Sequence, residues 1–233
     1  MEDFSSIFKN SVAVIWDLDK TLISKNVSEG IGEKILIDQL MKLRLNNFVY
    51  GIRKYKELKS KERNGCEIEG LKNFFEIIGD RKLMKKNKYY KYARRVVENL
   101  EIPGARNVIN KMKNDYDLEM LLATTSDELS AKAASEYFGM NKYAANPIIF
   151  GNEYVKDISL KMYDSDTKFE TVKYMIEDEG ISLKDCIVIG DSEKDHKLMK
   201  NSEFSFGSPL SDNKTKNLVD YWINDYREFM KYF

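Results

Sequence analysis

Two aspartates spaced two apart, Asp17 and Asp19, follow directly on the apolar run VAVIW at residues 12 to 16. Side chains alternate along a strand, so a strand ending here presents both carboxylates to one pocket. One such group can act as a nucleophile that divides a difficult displacement into two easier ones, and its neighbour as general acid and then base. An acid pair after a strand is also a common turn or helix cap, so the rest of the chain must decide. LLATTSD ends a second apolar run with Thr124, Thr125 and Ser126, hydroxyls suited to phosphate oxygens. IGDSEKD ends a third with Asp191 and Asp195, and Lys168 opens the helical segment between them. Each piece alone has a plain structural reading: hydroxyls cap helices, acids begin them, and helical lysines are solvated. Together they contain what phosphoryl transfer requires. An anionic nucleophile approaching an anionic phosphate needs positive charge nearby, which a hard, oxygen-ligated ion such as magnesium supplies.

The elements that must hold these groups are legible as patterns. VAVIW, LEMLLA at 118 to 123 and CIVIG at 186 to 190 are short, apolar and bounded by polar or turn residues, as strands buried on both faces are. Between them lie helical periods: ARNVINKMK after Pro103 and Gly104, SDELSAKAASEYFG ending at Gly139, and DTKFETVKYMIEDEG ending at Gly180. Strands alternating with such helices predict an α/β fold, a three-layer Rossmann-like parallel sheet with crossover helices. EKDHKLMK predicts a helix after the third strand, FSFG a short strand, and DYREFMKYF a terminal helix. Residues 24 to 100 carry repeated helical periodicity and no strand, which makes them an inserted α-helical domain, with residues 1–23 and 101–233 forming the core. The insertion's aromatic residues, among them Phe48, Tyr50, Tyr55, Phe74, Phe75, Tyr89, Tyr90 and Tyr92, either pack its helices together or line a substrate pocket; packing is the commoner use.

The chain is 233 residues long, room for one substantial core and a smaller unit. Lys plus Arg and Asp plus Glu both total 38, so no overall charge points to nucleic acid or an anionic membrane. Two cysteines, Cys66 and Cys186, stand far apart without metal-ligand spacing, and Cys186 reads as a buried thiol. The first apolar run is too short for a signal-peptide core or a membrane span, so a soluble, cytoplasmic protein is expected.

The order D-x-D-x-T, a strand-end Thr or Ser, Lys, then G-D-x-x-x-D, here DLDKT, LLATT, Lys168 and GDSEKD, resembles the four motifs of the haloacid dehalogenase superfamily. The match spans the chain. The path from Lys168 to Gly190 and the segment ANPIIFGNEYVKD before it are similar to the subfamily containing phosphoserine phosphatases, whose helical C1-type cap the insertion also matches. The resemblance implies a magnesium-dependent phosphatase in which Asp17 is transiently phosphorylated and Asp19 protonates the leaving oxygen, then activates water. It implies Asp17, the backbone carbonyl of Asp19 and Asp191 as ligands of Mg2+, with Asp195 in support. Lys168 bridges nucleophile and phosphate, and Thr124, chosen over Thr125, binds a phosphate oxygen. Thr21 shapes the loop. His196, the sole histidine, is expected to face solvent.

The implied partner is a small phosphorylated metabolite. Phosphoserine phosphatases carry a glutamate shortly after the first motif that holds the substrate's amino group, where this chain reads ISKNVSE with Asn26 near that place, which argues against phosphoserine. Lys25, Arg44, Arg53 and Arg81 are candidates for a substrate carboxylate, although surface positions suit each. A phosphotransferase or mutase on the same fold shares the aspartyl phosphate and is the alternative; a non-catalytic binding module would have lost a motif residue, and none is missing.

Overall fold

The computed structural model describes residues 4–41, 67–80 and 84–233. In chain order, α1 (Ser5–Asn10) leads into β1 (Ala13–Trp16). Within residues 24–100, read above as the insertion, follow α2 (Val27–Met41), α3 (Glu67–Asp80) and α4 (Lys86–Leu100). The chain then forms α5 (Ala105–Tyr116), β2 (Glu119–Asp127), α6 (Glu128–Phe138), β3 (Lys142–Asn146) and a hairpin of β4 (Ile148–Gly151) and β5 (Tyr154–Ile158). It closes with α7 (Ser165–Glu177), β6 (Cys186–Gly190), α8 (His196–Asn201), β7 (Phe204–Gly207), α9 (Asn213–Lys216), β8 (Tyr221–Trp222) and α10 (Tyr226–Phe229).

Six strands make one sheet in the order β3-β2-β1-β6-β7-β8, every neighbouring pair parallel. The alternation of the apolar runs divides the core in two. Val14, Trp16, Met120, Leu122, Ile187 and Ile189 face one side with Phe8, Val108, Met112 and Phe229. Ala13, Ile15, Leu121, Ala123, Cys186 and Val188 face the other with Val172, Ile176, Leu198 and Met199. Strands apolar at every position therefore require helices on both faces, and the three-layer arrangement predicted from them is present. Strand order reverses direction at β1, which lies between β2 and β6; in open α/β sheets the crevice outside the carboxyl ends at such a point is where ligands bind.

Residues 22–24 and 100–102 run side by side: Ser24 N donates to Leu100 O at 2.8 Å and Ile102 N to Leu22 O at 2.9 Å. The hairpin, although it follows β3 in sequence, joins the inserted helices. Val155 N donates to Met84 O and Lys86 N to Glu153 O, each at 2.9 Å. A Cβ at Gly79 of α3 would lie 2.0 Å from Lys156 O, so only glycine lets the helix backbone approach β5 this closely. The N-terminal segment, polar in its sequence, buries Phe4 and Phe8 in an aromatic cluster with Phe206 and Phe229. Among the described residues no helix is long and apolar enough to cross a membrane.

Candidate active site

The site is built from the carboxyl ends of β1, β2 and β6. Asp17 continues β1, its N–H donating to Ile189 O at 2.9 Å, and the residue is only 8% exposed. The chain then turns sharply: Thr21, Leu22 and Ile23 all donate to Leu18 O, with Lys20 in the left-handed region at φ 60°. Two groups from the far end of the chain hold this turn, Ser208 Oγ on Lys20 O at 2.8 Å and Tyr226 OH on Thr21 O at 3.0 Å. Thr21 itself is fully buried within that loop.

Lys168, in the first turn of α7, is 1% exposed and places its ammonium 2.6 Å from Asp17 Oδ1 and 2.6 Å from Asp195 Oδ1. The other oxygen of Asp195 accepts from the backbone of Asp191 at 3.2 Å and of Ser192 at 3.4 Å. Asp195 thus orients both the lysine and the loop that carries Asp191. Gly190 is the residue that lets it do so, since a Cβ there would meet Asp195 Cγ at 2.5 Å.

Carboxylate oxygens of Asp17, Asp191 and Asp195 lie within 4.8 Å of one another, all three residues buried. Burial, opposed by the Lys168 ammonium and aided by repulsion from Asp195 and Asp19, raises Asp17 to about 7. Burial together with repulsion from Asp17 and Asp195 raises Asp191 to about 9. Lys168, with Lys20 acting on Asp191, leaves this buried cluster of three carboxylates short of positive charge, and the donor set is all hard oxygen, which fits a divalent cation of the magnesium type. Asp17 and Asp191 are the groups free to hold it, because both oxygens of Asp195 are already engaged.

Asp19 is held at both oxygens. Oδ1 accepts from Val27 N, at the start of α2, at 2.8 Å, and Oδ2 from Ser126 Oγ at 2.5 Å. Of the three consecutive hydroxyls, Thr124 is turned away from the cleft: it is 1% exposed and its Oγ1 accepts from Ser126 N at 3.1 Å. Thr125 and Ser126 line the cleft instead. The cleft encloses about 600 Å³ including its solvent-open part, walled by Asp17, Asp19, Asp191, Lys20, Lys194 and Ser192, and on the insertion side by Asn26, Ser28 and Leu71. Lys20, Ser192 and Lys194 were hidden inside the spacers of the two acidic motifs, and Leu71 of α3 carries no sequence signal for the site.

Other candidates sit elsewhere. Lys25 pairs with Glu33 at 2.9 Å. His196 is half-buried, its Nε2 2.8 Å from Thr215 Oγ1, so it is a structural bridge and does not simply face solvent. Phe74, Phe75, Tyr89 and Tyr92 are buried in the core and Tyr90 is partly buried against it, the packing role. Phe48, Tyr50, Tyr55, Arg44, Arg53, Arg81 and Cys66 lie outside the described residues.

Residues 12–202 match the family model of the haloacid dehalogenase-like hydrolases, most of the chain and every one of the strand-end groups above. The chain belongs to that family. This haloacid dehalogenase-like hydrolase has no match in sequence among curated proteins. In fold it is similar to a substrate-bound phosphoserine phosphatase complex, at TM-score 0.71 with 18% identity over 96% of this chain and 99% of that one. It is similar also to a phospho-aspartyl intermediate analogue of phosphoserine phosphatase, at TM-score 0.70 with 19% identity over 96% and 99%. A third likeness is to the hydrolase t0658 of Salmonella enterica subsp. enterica serovar Typhi, at TM-score 0.68 with 13% identity over 92% of this chain and 68% of that one. At these identities the likeness is one of fold.

Proposed function

We propose that this hydrolase is a magnesium-dependent phosphatase of small phosphomonoesters that works through an aspartyl phosphate on Asp17. The observation that carries the reading is the pairing of Asp17 with the buried Lys168 ammonium at 2.6 Å, beside a second aspartate, Asp19, whose carboxylate is held by Val27 N and Ser126 Oγ. Phosphoserine phosphatases among the structures of like fold, one named as a phospho-aspartyl intermediate analogue, support it.

In this reading Asp17 and Asp191 hold the ion, with the backbone carbonyl of Asp19, and Asp195 supports them. The ion, when bound, neutralises phosphate charge and lets Asp17 ionise. The Lys168 ammonium keeps Asp17 aimed and screens the approaching phosphate. An oxygen of Asp17 attacks phosphorus, the ester oxygen leaves with the proton of Asp19, and Asp19 as carboxylate then takes a proton from the water that releases phosphate. Thr125, which lines the cleft, contributes its hydroxyl to the phosphate oxygens in place of Thr124, while the Ser126 hydroxyl stays on Asp19. Residues 24–100 act as the cap, with the β4–β5 hairpin as part of it, and closure excludes water from the intermediate. Among the described residues the cleft has no carboxylate beyond Asp17, Asp19 and Asp191, so an ammonium-bearing substrate lacks a dedicated partner there. A neutral or anionic leaving alcohol suits it better.

The test is phosphate release over a panel of phosphorylated metabolites with magnesium and no added acceptor, comparing wild type with Asp17→Asn. Turnover by wild type and its loss below about a hundredth in the variant are expected. Undiminished turnover in Asp17→Asn removes Asp17 as nucleophile, and transfer only when an acceptor alcohol is supplied makes the protein a phosphotransferase.

A further inference from the structure

The hydroxyl that holds Asp19 stands on backbone that the sheet does not fix. Ala123 of β2 is opposite Ala144 of β3, yet Asp127 is opposite Asn146, so residues 124–126 bulge out against a single partner residue. A bulge leaves its residues without ladder hydrogen bonds, and their position must come from other contacts. Three side chains supply them, the first within the bulge itself, where Thr124 Oγ1 accepts from Ser126 N at 3.1 Å. Asn146, fully buried, donates from Nδ2 to Thr125 O at 2.7 Å, anchored in turn by Lys161 N and Met162 N on its Oδ1. Asp127, also fully buried, caps α6 by accepting from Leu129 N at 3.0 Å and Ser130 N at 2.9 Å through Oδ1. Its Oδ2 accepts from Ser130 Oγ at 2.6 Å and from Tyr89 OH at 2.7 Å.

Tyr89 is the one of these partners that comes from the insertion. It lies on α4, is fully buried, and its ring packs 5.8 Å from that of Phe75 on α3. The next residue back from Asp127 is Ser126, whose Oγ meets Asp19 Oδ2, while Asp19 Oδ1 is held by the first residue of α2. The insertion therefore reaches both oxygens of Asp19, directly through Val27 and indirectly through Tyr89, Asp127 and Ser126. We propose that Tyr89 is a positioning residue: from the inserted helix it fixes Asp127 at the end of the bulge, and so sets the Ser126 hydroxyl that orients Asp19 for proton transfer. The inference rests on Asp19 being the general acid.

Proton transfer to the leaving oxygen matters greatly for an alkoxide and little for a nitrophenolate, which distinguishes misplacement of Asp19 from a general loss of structure. The experiment uses full-length protein in excess over substrate with magnesium. It follows release of benzyl alcohol from benzyl phosphate and of 4-nitrophenol from 4-nitrophenyl phosphate in a single turnover, so that only the first half-reaction is read. Tyr89→Phe keeps the ring and deletes the hydrogen bond. It should slow benzyl alcohol release about tenfold or more and 4-nitrophenol release by less than about threefold, with the half-saturating enzyme concentration unchanged. Tyr90→Phe removes the hydroxyl of the next residue on the same helix, which pairs with Glu136 and not with Asp127, and should leave both rates within about threefold of wild type. If Tyr89→Phe unfolds, Asp127→Ser, which keeps one oxygen for the α6 cap and none to reach Tyr89 OH, should show the same selectivity. Equal slowing of both substrates, no slowing of either, or the same selectivity in Tyr90→Phe would overturn the proposal. Asp19→Asn separates the two levels: if it shows the selectivity and Tyr89→Phe does not, the link through Tyr89 fails alone, and if Asp19→Asn shows none, the acid role of Asp19 fails first.

Discussion

Lys168→Met tests the charge balance of the site. The ammonium contacts Asp17 and Asp195, each at 2.6 Å, at 1% exposure. Methionine preserves an unbranched apolar stem and removes the charge, so two buried carboxylates lose their shared partner. Deleting one member of a buried ion pair costs about 3–5 kcal/mol. For a chain of 150–250 residues each kcal/mol moves the melting midpoint by about 2–4 °C, so the metal-free variant should melt roughly 6–20 °C below wild type. The pH dependence follows from Asp17. Its folded value, raised by burial to about 7 from an ordinary 3.8, means that this carboxyl favours folding below about pH 4 and loses that contribution as pH rises through 7. Without Lys168 the folded value rises further, so the loss continues where wild type has already levelled off, and the deficit should widen from pH 7 to pH 9. Magnesium should restore part of the melting temperature by neutralising the carboxylates. It should not restore turnover, which falls by about 10²-fold or more because the fixed cation at the nucleophile is gone. Calorimetry in chelator and in magnesium across that pH range, with phosphate release alongside, reads all three effects. A variant melting within about 2 °C of wild type in chelator at pH 8, or a deficit that narrows with rising pH, would refute the reasoning.

Metal removal should be equally plain: chelator-treated protein should be inactive, recover with magnesium and be inhibited by calcium, whose larger flexible shell can engage both oxygens of Asp17. Asp191→Ala should raise the magnesium needed for half-maximal activity severalfold, and full activity in excess chelator with no metal bound would count against the site. Gly190→Ala should cost about 1–3 kcal/mol and reduce turnover, since its methyl would need the space of the Asp195 carboxylate, 2.5 Å away; an unchanged melting curve would mean that Asp195 can move freely. Burial pushes the Cys186 thiol up to about 12, so native protein at pH 8 should resist iodoacetamide at this residue, as mass mapping of its peptide would read, and rapid alkylation would place it nearer the surface.

The strands and the motifs at their ends were legible because both depend on local order. An apolar run with alternating faces can be buried on both sides only in a sheet covered by helices, and a side chain just past its end must emerge at the sheet's edge. That reasoning located Asp17, Asp191 and the hydroxyl run without knowledge of neighbours. It failed where local order breaks. Alternation could not select among Thr124, Thr125 and Ser126, because the three lie in a bulge whose existence depends on the partner strand. The polar first ten residues hid two aromatic anchors, Phe4 and Phe8, whose burial requires Phe229 from the opposite end of the chain. The hairpin at 148–158 follows β3 in the chain yet packs on α3, because Gly79 opens a place for it there.

What the sequence determined by itself is the inventory and its chain order: two strand-end aspartates, a hydroxyl run, a helical lysine and a final acidic loop. Each follows from periods of two or about 3.6 residues that any window of the chain displays. Only the tertiary structure decided which of those groups touch. Lys168 meets Asp17 across 151 positions and Ser126 meets Asp19 across 107. Tyr89 finds Asp127 between a helix of the insertion and the end of a core strand. Such pairings depend on where separate elements come to rest, and the energy that holds them, burial of charged and polar groups away from water, exists only after the chain has closed around them.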